Sequence, residues 1–176
     1  MDTCPHPAVR ESIIARVPVL EPGAKLPALA LSDERGAPVA PSEGETLYVV
    51  FKTTCPTCAL TWPYLERIGR AAKGGRLRVL GISQDDPQET REFERRVGAR
   101  VPAAFDRPPY PASDALGVST VPTFLRVAGD GTIAETLIGF DRARLESLAR
   151  RAADLAGRPP APLFGPDENV PAIKPG

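Results

Sequence analysis

The chain has 176 residues, 42% of them hydrophobic, which is enough for one domain with a substantial core and too few for two. Its 22 Lys and Arg residues balance 22 Asp and Glu residues, so there is no basic surplus for phosphates, and a nucleic-acid partner is not expected. Apolar runs are far shorter than the roughly 20 residues of a membrane-spanning helix, so no membrane span is predicted.

Proline is concentrated near the two ends of the chain, which contains 21 prolines. Proline lacks a backbone N–H, so both ends are predicted to lie outside the core elements. We therefore divide the chain into an N-terminal extension over residues 1–21, a domain over residues 22–156 and a Pro-rich tail over residues 157–176. The tail could cover the sheet, dock on a second subunit or remain flexible, and the sequence gives no indication of oligomeric state.

The N-terminus has neither the basic stretch nor the apolar segment of a secretory signal, which predicts a cytoplasmic protein. A periplasmic protein given without its signal would have the same features. Three cysteines, only two of them close in sequence, are too few for the disulfide framework of a small secreted domain. Their spacing indicates reaction chemistry.

The first half of the chain predicts a hairpin followed by a strand, a helix and a strand. Residues 28–39 contain a turn signal between two short apolar segments. Residues 46–52 (TLYVVFK) form a continuous run rich in β-branched and aromatic residues, typical of a strand buried on both faces, and residues 76–83 (RLRVLGIS) supply a second predicted buried strand. The helical spacing of apolar residues between these two runs predicts a βαβ unit with parallel strands.

The second half predicts an inserted αβ segment and then a hairpin and a helix. The inserted segment has a helix from Pro87, a short strand at residues 102–105 and a helical turn at residues 113–116. Residues 123–138 form a hairpin around a glycine-containing turn, and Asp141 caps the last helix. The fold class is therefore α/β.

Cys55 follows a predicted buried strand and opens a predicted helix, with Pro56 suited to the first helical turn. The positive end of the helix dipole favours a thiolate there, so Cys55 is the predicted nucleophile. Cys58, one helical turn later, can reach the same sulfur and is the predicted resolving thiol. Attack on a partner disulfide, a mixed disulfide and release by Cys58 would need no cofactor other than the Cys55–Cys58 disulfide.

A structural zinc ion is the alternative use of the Cys-x-x-Cys spacing. Zinc sites of this kind need two further soft ligands, commonly from a second such pair or two histidines. The chain offers only Cys4 and His6, so no metal is predicted.

Read together, three segments resemble the thioredoxin superfamily, and within it the TlpA-like and redoxin-type thiol-disulfide oxidoreductases. They are residues 51–58 (FKTTCPTC), 79–86 (VLGISQDD) and 117–124 (GVSTVPTF). The resemblance covers residues 22–156 and implies a thioredoxin-like three-layer fold. That fold has a central mixed β-sheet flanked by helices, here with an N-terminal β-hairpin extension and an inserted αβ segment.

The resemblance also implies how a substrate is held. The proline that Pro122 matches is cis and faces the cysteines, and the backbone of the residue before it, Val121 here, pairs with the substrate like an added strand. A cis bond fits physical expectation because such bonds are essentially confined to X–Pro. Pro56 and Thr57, between the cysteines, complete the predicted substrate-binding set.

The chain departs from the family at the carboxylates that handle the proton of the second cysteine. Classical thioredoxins have a buried Asp where this chain has Val49, and some TlpA-like proteins have a Glu where it has Thr61. Thr61, a solvent molecule or a distant residue would then serve. Lys52 could stabilise the Cys55 thiolate, or reach water as an ordinary strand-end lysine.

The predicted function is a thiol-disulfide oxidoreductase acting on protein disulfides together with an electron donor or acceptor protein. One alternative is a peroxiredoxin-like peroxidase using Cys55, although those enzymes have a Thr where this chain has Lys52. Another is a non-catalytic binding module that uses the groove near Pro122. Cys4 could resolve Cys55 or be an incidental free thiol.

Overall fold

A five-stranded mixed sheet forms the centre of the computed structural model, which describes residues 18–176. Its strands are β1 (Glu45–Phe51), β2 (Leu77–Ser83), β3 (Ala103–Phe105), β4 (Thr123–Val127) and β5 (Ile133–Ile138). The order across the sheet is β3-β2-β1-β4-β5, with β1, β2 and β3 parallel and β4 antiparallel to both of its neighbours. The predicted mixed sheet and the βαβ unit at its centre are confirmed.

In the described part of the chain, four helices accompany the sheet: α1 (Pro56–Ala71), α2 (Pro87–Val97), α3 (Pro111–Ala115) and α4 (Arg142–Leu155). α1 packs against α2 and α4 on one face of the sheet, while residues of α3 join the core on the other face. The inserted segment between β2 and β4 contains α2, β3 and α3, as predicted. No helix within residues 18–176 has both the length and the apolar character needed to cross a bilayer.

The pattern of β1 explains its central place. Successive side chains of a strand point to opposite faces, and almost every residue of β1 is apolar and buried. Leu47, Val49 and Phe51 pack on the side of α1 and α4, whereas Tyr48 and Val50 pack on the side of α3. β1 therefore joins the two cores of the molecule.

The predicted N-terminal hairpin is shorter than expected. Residues 28–39 turn back on themselves, but Ser32 makes only isolated bridges, to Pro38 and to Phe105. The carboxylate of Asp33 accepts two backbone N–H groups of the turn, and Pro38 has no N–H to donate. Backbone N–H groups that a regular β-ladder would use are therefore already bonded to Asp33 or, at Pro38, do not exist.

The prediction that the tail lies outside the core is wrong for Leu163 and Phe164, which are 4% and 6% exposed. The Phe164 ring lies 4.5 Å from the Tyr64 ring, between centroids. Further along the tail, β7 (Ile173–Lys174) pairs with β6 (Phe140–Asp141), which precedes α4. The proline content of the tail gave no indication that a few of its large apolar residues are buried against α1 and α4.

Candidate active site

The two cysteines stand at the start of α1, directly after the central strand. Cys55 is the N-cap residue in extended conformation, and its Sγ accepts the backbone N–H of Cys58 at 3.1 Å. Pro56 occupies the start of the helix, where its missing N–H costs nothing. The Cys55 sulfur thus takes the position that a Ser or Asp oxygen usually takes at a helix N-terminus.

This position favours negative charge on the Cys55 sulfur, because free N–H groups and the positive end of the helix dipole meet there. Cys58 has the opposite environment. It is 0% exposed, and burial, reinforced by contact with the Cys55 sulfur, raises the pKa of the Cys58 thiol above its ordinary value. Both cysteines are free thiols, and Cys55 is only partly buried. The geometry therefore separates an accessible sulfur from a protected one.

The Val121–Pro122 segment faces the first cysteine. β1 and β4 are antiparallel, with Val50 opposite Thr123, so the loop that follows β1 and the loop that precedes β4 meet at one end of the sheet. The Cys55 thiol donates to the carbonyl oxygen of Val121, with Sγ 3.4 Å from the oxygen. The Val121–Pro122 bond is cis, as predicted.

Two threonines of α1 have defined hydrogen bonds. Thr57 is 3% exposed, and its hydroxyl donates to the carbonyl oxygen of Pro175 at 2.7 Å. Thr61 is 0% exposed, and its hydroxyl donates to the backbone carbonyl of Thr57, also at 2.7 Å. The Thr61 proton is therefore engaged by the helix backbone, while its oxygen retains acceptor capacity.

Lys52 lies next to an aromatic ring of the inserted segment. Its Nζ is 5.7 Å from the centroid of the Tyr110 ring, a distance typical of a weak cation–π contact. Tyr110 has a positive φ of 64° and follows a cis Pro108–Pro109 bond. Neither Tyr110 nor this loop was recognised in the sequence, where only the two adjacent prolines gave a signal.

Two further residues that the sequence analysis did not assign to the site hold the loop before Cys55. The Asp85 carboxylate accepts the backbone N–H of Thr53 at 2.6 Å, and the Arg96 guanidinium donates to the Thr53 carbonyl at 2.7 Å. Asp85 follows β2, the parallel neighbour of β1, so its location beside this loop was available from the strand order. Arg96 lies on α2, and no sequence signal indicated its contact.

The sequence-predicted residues therefore fall into two groups. One group lies together at the N-terminus of α1 and the loop before β4: Cys55, Cys58, Thr57 and Val121. Lys52 instead lies beside the Tyr110 ring. Within residues 18–176, no cluster of three or more His, Cys, Asp or Glu side chains is arranged to hold a metal ion. Cys4 lies outside the described residues.

Comparison with known proteins gives one family match. Residues 22–136 match the AhpC/TSA family, and the matched segment includes β1, the start of α1 with both cysteines, and the Val121–Pro122 bond. No curated protein matches the chain.

Several solved structures are similar in fold. A candidate thiol:disulfide interchange protein DsbE from Chlorobium tepidum is 22% identical, with a TM-score of 0.66, and the match covers 78% of this chain and 99% of that one. A thiol:disulfide interchange protein from Bacteroides sp. is 17% identical, with a TM-score of 0.66, covering 78% and 91%. A secreted disulfide oxidoreductase of Mycobacterium tuberculosis, homologous to E. coli DsbE, is 18% identical, with a TM-score of 0.56, covering 71% and 94%.

These likenesses confirm the thioredoxin-like fold that the three sequence segments predicted. The shared fold extends over nearly the whole of each of these related structures. The tail residues 157–176 lie beyond the segment matched by the family.

Proposed function

The chain belongs to the AhpC/TSA family, and from this premise and the geometry of its two cysteines we propose that it is a dithiol–disulfide oxidoreductase acting on protein disulfides. One observation carries the proposal: Cys55 caps α1 with a partly accessible sulfur, and the buried Cys58 donates its backbone N–H to that sulfur. A sulfur that caps a helix is suited to attack, and a second one a turn away is suited to resolve the product.

In the first step the Cys55 thiolate attacks one sulfur of a substrate disulfide. A bond forms between Cys55 and that sulfur, the substrate S–S bond breaks, and the other substrate sulfur leaves as a thiolate that takes a proton from solvent. In the second step Cys58 loses its proton to solvent and attacks the Cys55 sulfur, which releases the remaining substrate thiolate for protonation. The substrate gains two electrons and two protons, and the chain ends with a Cys55–Cys58 disulfide.

The raised pKa of Cys58 gives these steps an order. Burial disfavours the thiolate of Cys58, and of the two sulfurs only that of Cys55 is open to an incoming disulfide. Solvent remains the proposed acceptor for the Cys58 proton, because the neutral Thr61 hydroxyl, whose own proton is donated to the Thr57 carbonyl, is far too weak a base to take it.

A protein substrate would lie against the Val121–Pro122 segment. The Val121 carbonyl is 3.4 Å from the Cys55 sulfur, so a strand added beside Val121 would bring its own disulfide to Cys55. Pro56 is exposed, which supports its assignment to the substrate-binding set, whereas Thr57 is buried and its hydroxyl is donated to the Pro175 carbonyl. The proposed partners are therefore a protein disulfide and a protein that restores the dithiol.

The direction of electron flow depends on the reduction potential. In the proposed cytoplasmic setting the couple would act as a reductant with a reduction potential of about −270 mV. A periplasmic oxidant would have a reduction potential of about −120 mV. Equilibrating the chain with dithiothreitol buffers for the reducing range and glutathione buffers for the oxidising range measures this value directly.

Trapping of the mixed disulfide tests the proposal. In a Cys4→Ser background, the Cys58→Ser variant should form a stable covalent adduct with a protein disulfide such as insulin. Dithiothreitol should reduce the mixed disulfide and release the adduct. The matched Cys55→Ser variant should form none. Absence of any adduct with Cys58→Ser would contradict the proposal, and rapid consumption of hydrogen peroxide with sulfenate at Cys55 would favour the peroxidase alternative. Reversible oxidation without any adduct or peroxide turnover would favour a binding module.

A further inference from the structure

The last six residues of the chain, 171–176, cross the candidate active site, and we call this segment the strap. Its strand β7 pairs with β6, with Lys174 opposite Phe140. The backbone N–H of Arg142 also donates to the carbonyl oxygen of Ala172 at 2.9 Å. The strap is therefore fixed by backbone hydrogen bonds beside the N-terminus of α4.

The end of the strap enters the space between the cysteine helix and the cis-proline loop. The Thr57 hydroxyl donates to the Pro175 carbonyl at 2.7 Å. A Cβ atom at Gly176 would overlap the carbonyl oxygen of Val121 and lie 2.7 Å from Thr120 Cγ2, so only a residue without a side chain fits there. Val121 is also the residue whose carbonyl contacts the Cys55 sulfur.

The strap also lies close to Gly139, which follows β5. Gly139 has φ of 78°, and a Cβ there would lie 2.6 Å from the carbonyl oxygen of Lys174 and 3.2 Å from the nitrogen of Gly176. The Gly139 N–H donates to the Pro122 carbonyl at 2.8 Å, so this glycine links the cis-proline loop to the strap. The backbone approaches the strap at a distance that a side chain would prevent.

A separate anchor holds the tail upstream of the strap. Leu163 and Phe164 are buried in the core, and Glu168 forms a two-pronged ion pair with Arg67, with N–O distances of 2.6 and 2.7 Å. Because this anchor lies on α1 and α4 and not at the cysteines, the strap can leave the site while the rest of the tail stays docked.

The Cys55 sulfur is not sealed by the strap. Cys55 is partly exposed, and its neighbours Thr54 and Pro56 are both exposed. A small disulfide needs only this opening to reach the sulfur. An extended protein chain also needs the backbone of Val121, which the strap adjoins.

We propose that the strap is a built-in competitor of protein substrates, so that the strapped form reacts with low-molecular-weight disulfides and reacts with protein disulfides only after the strap is displaced. The inference rests on the proposed function, because it uses the same Cys55 chemistry, and adds a selection by size. It introduces no redox step beyond those already written. A strap displaced in one molecule of ten would slow the protein reaction about tenfold and leave the small-disulfide reaction unchanged.

The test compares single-turnover oxidation of the fully reduced Cys4→Ser chain by glutathione disulfide and by insulin. Because each substrate gains the thiols that the chain loses, the reaction is quenched with acid and alkylated, and the mass of the chain itself reports its oxidation. A variant ending at Val170 removes the strap and keeps Leu163, Phe164 and Glu168. We expect its rate with insulin to rise about tenfold or more, and its rate with glutathione disulfide to change less than twofold.

A full-length variant and a matched control guard against a folding defect. Lys174→Pro removes the backbone N–H opposite Phe140 and should give the same selective increase as the truncation. Ile173→Ser alters a side chain that is 70% exposed and keeps the backbone pairing, so it should behave as the parent chain. A synthetic peptide of residues 169–176, added at millimolar concentration, should slow the truncated chain toward insulin, and a scrambled peptide should not.

The outcomes separate the two proposals. If neither substrate oxidises any form of the chain, the proposed function fails. If glutathione disulfide reacts but truncation and Lys174→Pro leave the insulin rate unchanged, or speed both substrates equally, the strap is not a selective competitor and this inference is overturned.

Discussion

Cys55 and Val121 lie 66 positions apart in the chain, yet the Cys55 thiol donates to the Val121 carbonyl over 3.4 Å. The contact follows from the antiparallel pairing of β1 with β4, which places the end of one strand beside the start of the other. The same corner receives the strap, since Gly176 is packed against Val121. The proposed nucleophile, the proposed substrate-binding backbone and the strap therefore all meet at the Val121 carbonyl group.

The buried thiol should titrate above its ordinary range. In a variant carrying Cys4→Ser and Cys55→Ser, Cys58 is the only thiol, and burial alone should hold its pKa above the ordinary value of 9.0. The rate of alkylation by iodoacetamide should therefore keep rising beyond pH 9 in the folded chain, whereas in urea it should level off near the ordinary value. A folded chain whose alkylation reaches its plateau at the lower pH would contradict the assigned burial effect.

The loop before Cys55 should loosen when its carboxylate partner is removed. Asp85→Ala deletes the acceptor of the Thr53 N–H, a charge-assisted hydrogen bond worth about 1.5–3 kcal/mol. Unfolding in urea should report a loss of that size, and hydrogen exchange at the Thr53 amide should accelerate. Asp154→Ala, at an exposed site of α4, is the control and should change stability by less than about 0.5 kcal/mol. Equal effects of the two variants would show that the Asp85 contact contributes nothing specific.

The ion pair that anchors the tail should lose its contribution in acid. The hydrogen bonds from Arg67 and from the Gly165 N–H lower the pKa of Glu168 from its ordinary 4.5 to about 2. A carboxyl group with a lowered pKa stabilises the fold above its ordinary pKa, and this stabilisation disappears as the pH falls toward the folded value. The stability difference between the parent chain and Glu168→Gln should thus be constant above about pH 5 and shrink toward pH 2. A difference that does not depend on pH would refute the ion-pair assignment.

The tail should contribute to global stability through its buried aromatic. Phe164→Ala removes a ring that is 6% exposed and packs on Tyr64, so a loss of about 3–5 kcal/mol is expected. Ile173→Ala, in the same tail but 70% exposed, should cost less than about 0.5 kcal/mol. Thermal or urea unfolding measures both, and a Phe164→Ala variant as stable as Ile173→Ala would mean that the tail is not docked in solution.

Regular elements of this chain are readable from sequence because their signals are local. The continuous apolar run of β1 and the helical spacing after Cys58 determine the βαβ unit, and observed bounds differ from predicted ones by one or two residues. Helix α2 begins where predicted because Asp86 caps it, Pro87 takes its first position and Glu89 completes the capping box with Asp86. The cysteine pair was recognisable from its spacing after a predicted buried strand, and Val121–Pro122 from its place in one of the three segments that resemble the thioredoxin superfamily.

Contacts made by irregular segments were not readable in the same way. The strap carries no periodic pattern, and its location depends on hydrogen bonds to Thr57 and Arg142, which are distant in sequence. Proline content indicated that the tail is not helical, but it gave no information about where Phe164 packs. Arg96 was missed for a similar reason, since it reaches Thr53 across 43 positions with no pattern to mark it.

If Cys55 and Cys58 form one two-electron couple, a redox titration will show it. The Cys4→Ser chain is equilibrated in dithiothreitol and glutathione buffers of graded potential, alkylated and digested with trypsin, and the peptide of residues 53–67 is weighed. We predict a single reversible transition in which the doubly alkylated peptide is replaced on oxidation by an unalkylated peptide two hydrogens lighter than the dithiol, and loss of this transition in Cys55→Ser. A peptide that retains both free thiols at every potential, or a transition that persists in Cys55→Ser, would contradict it.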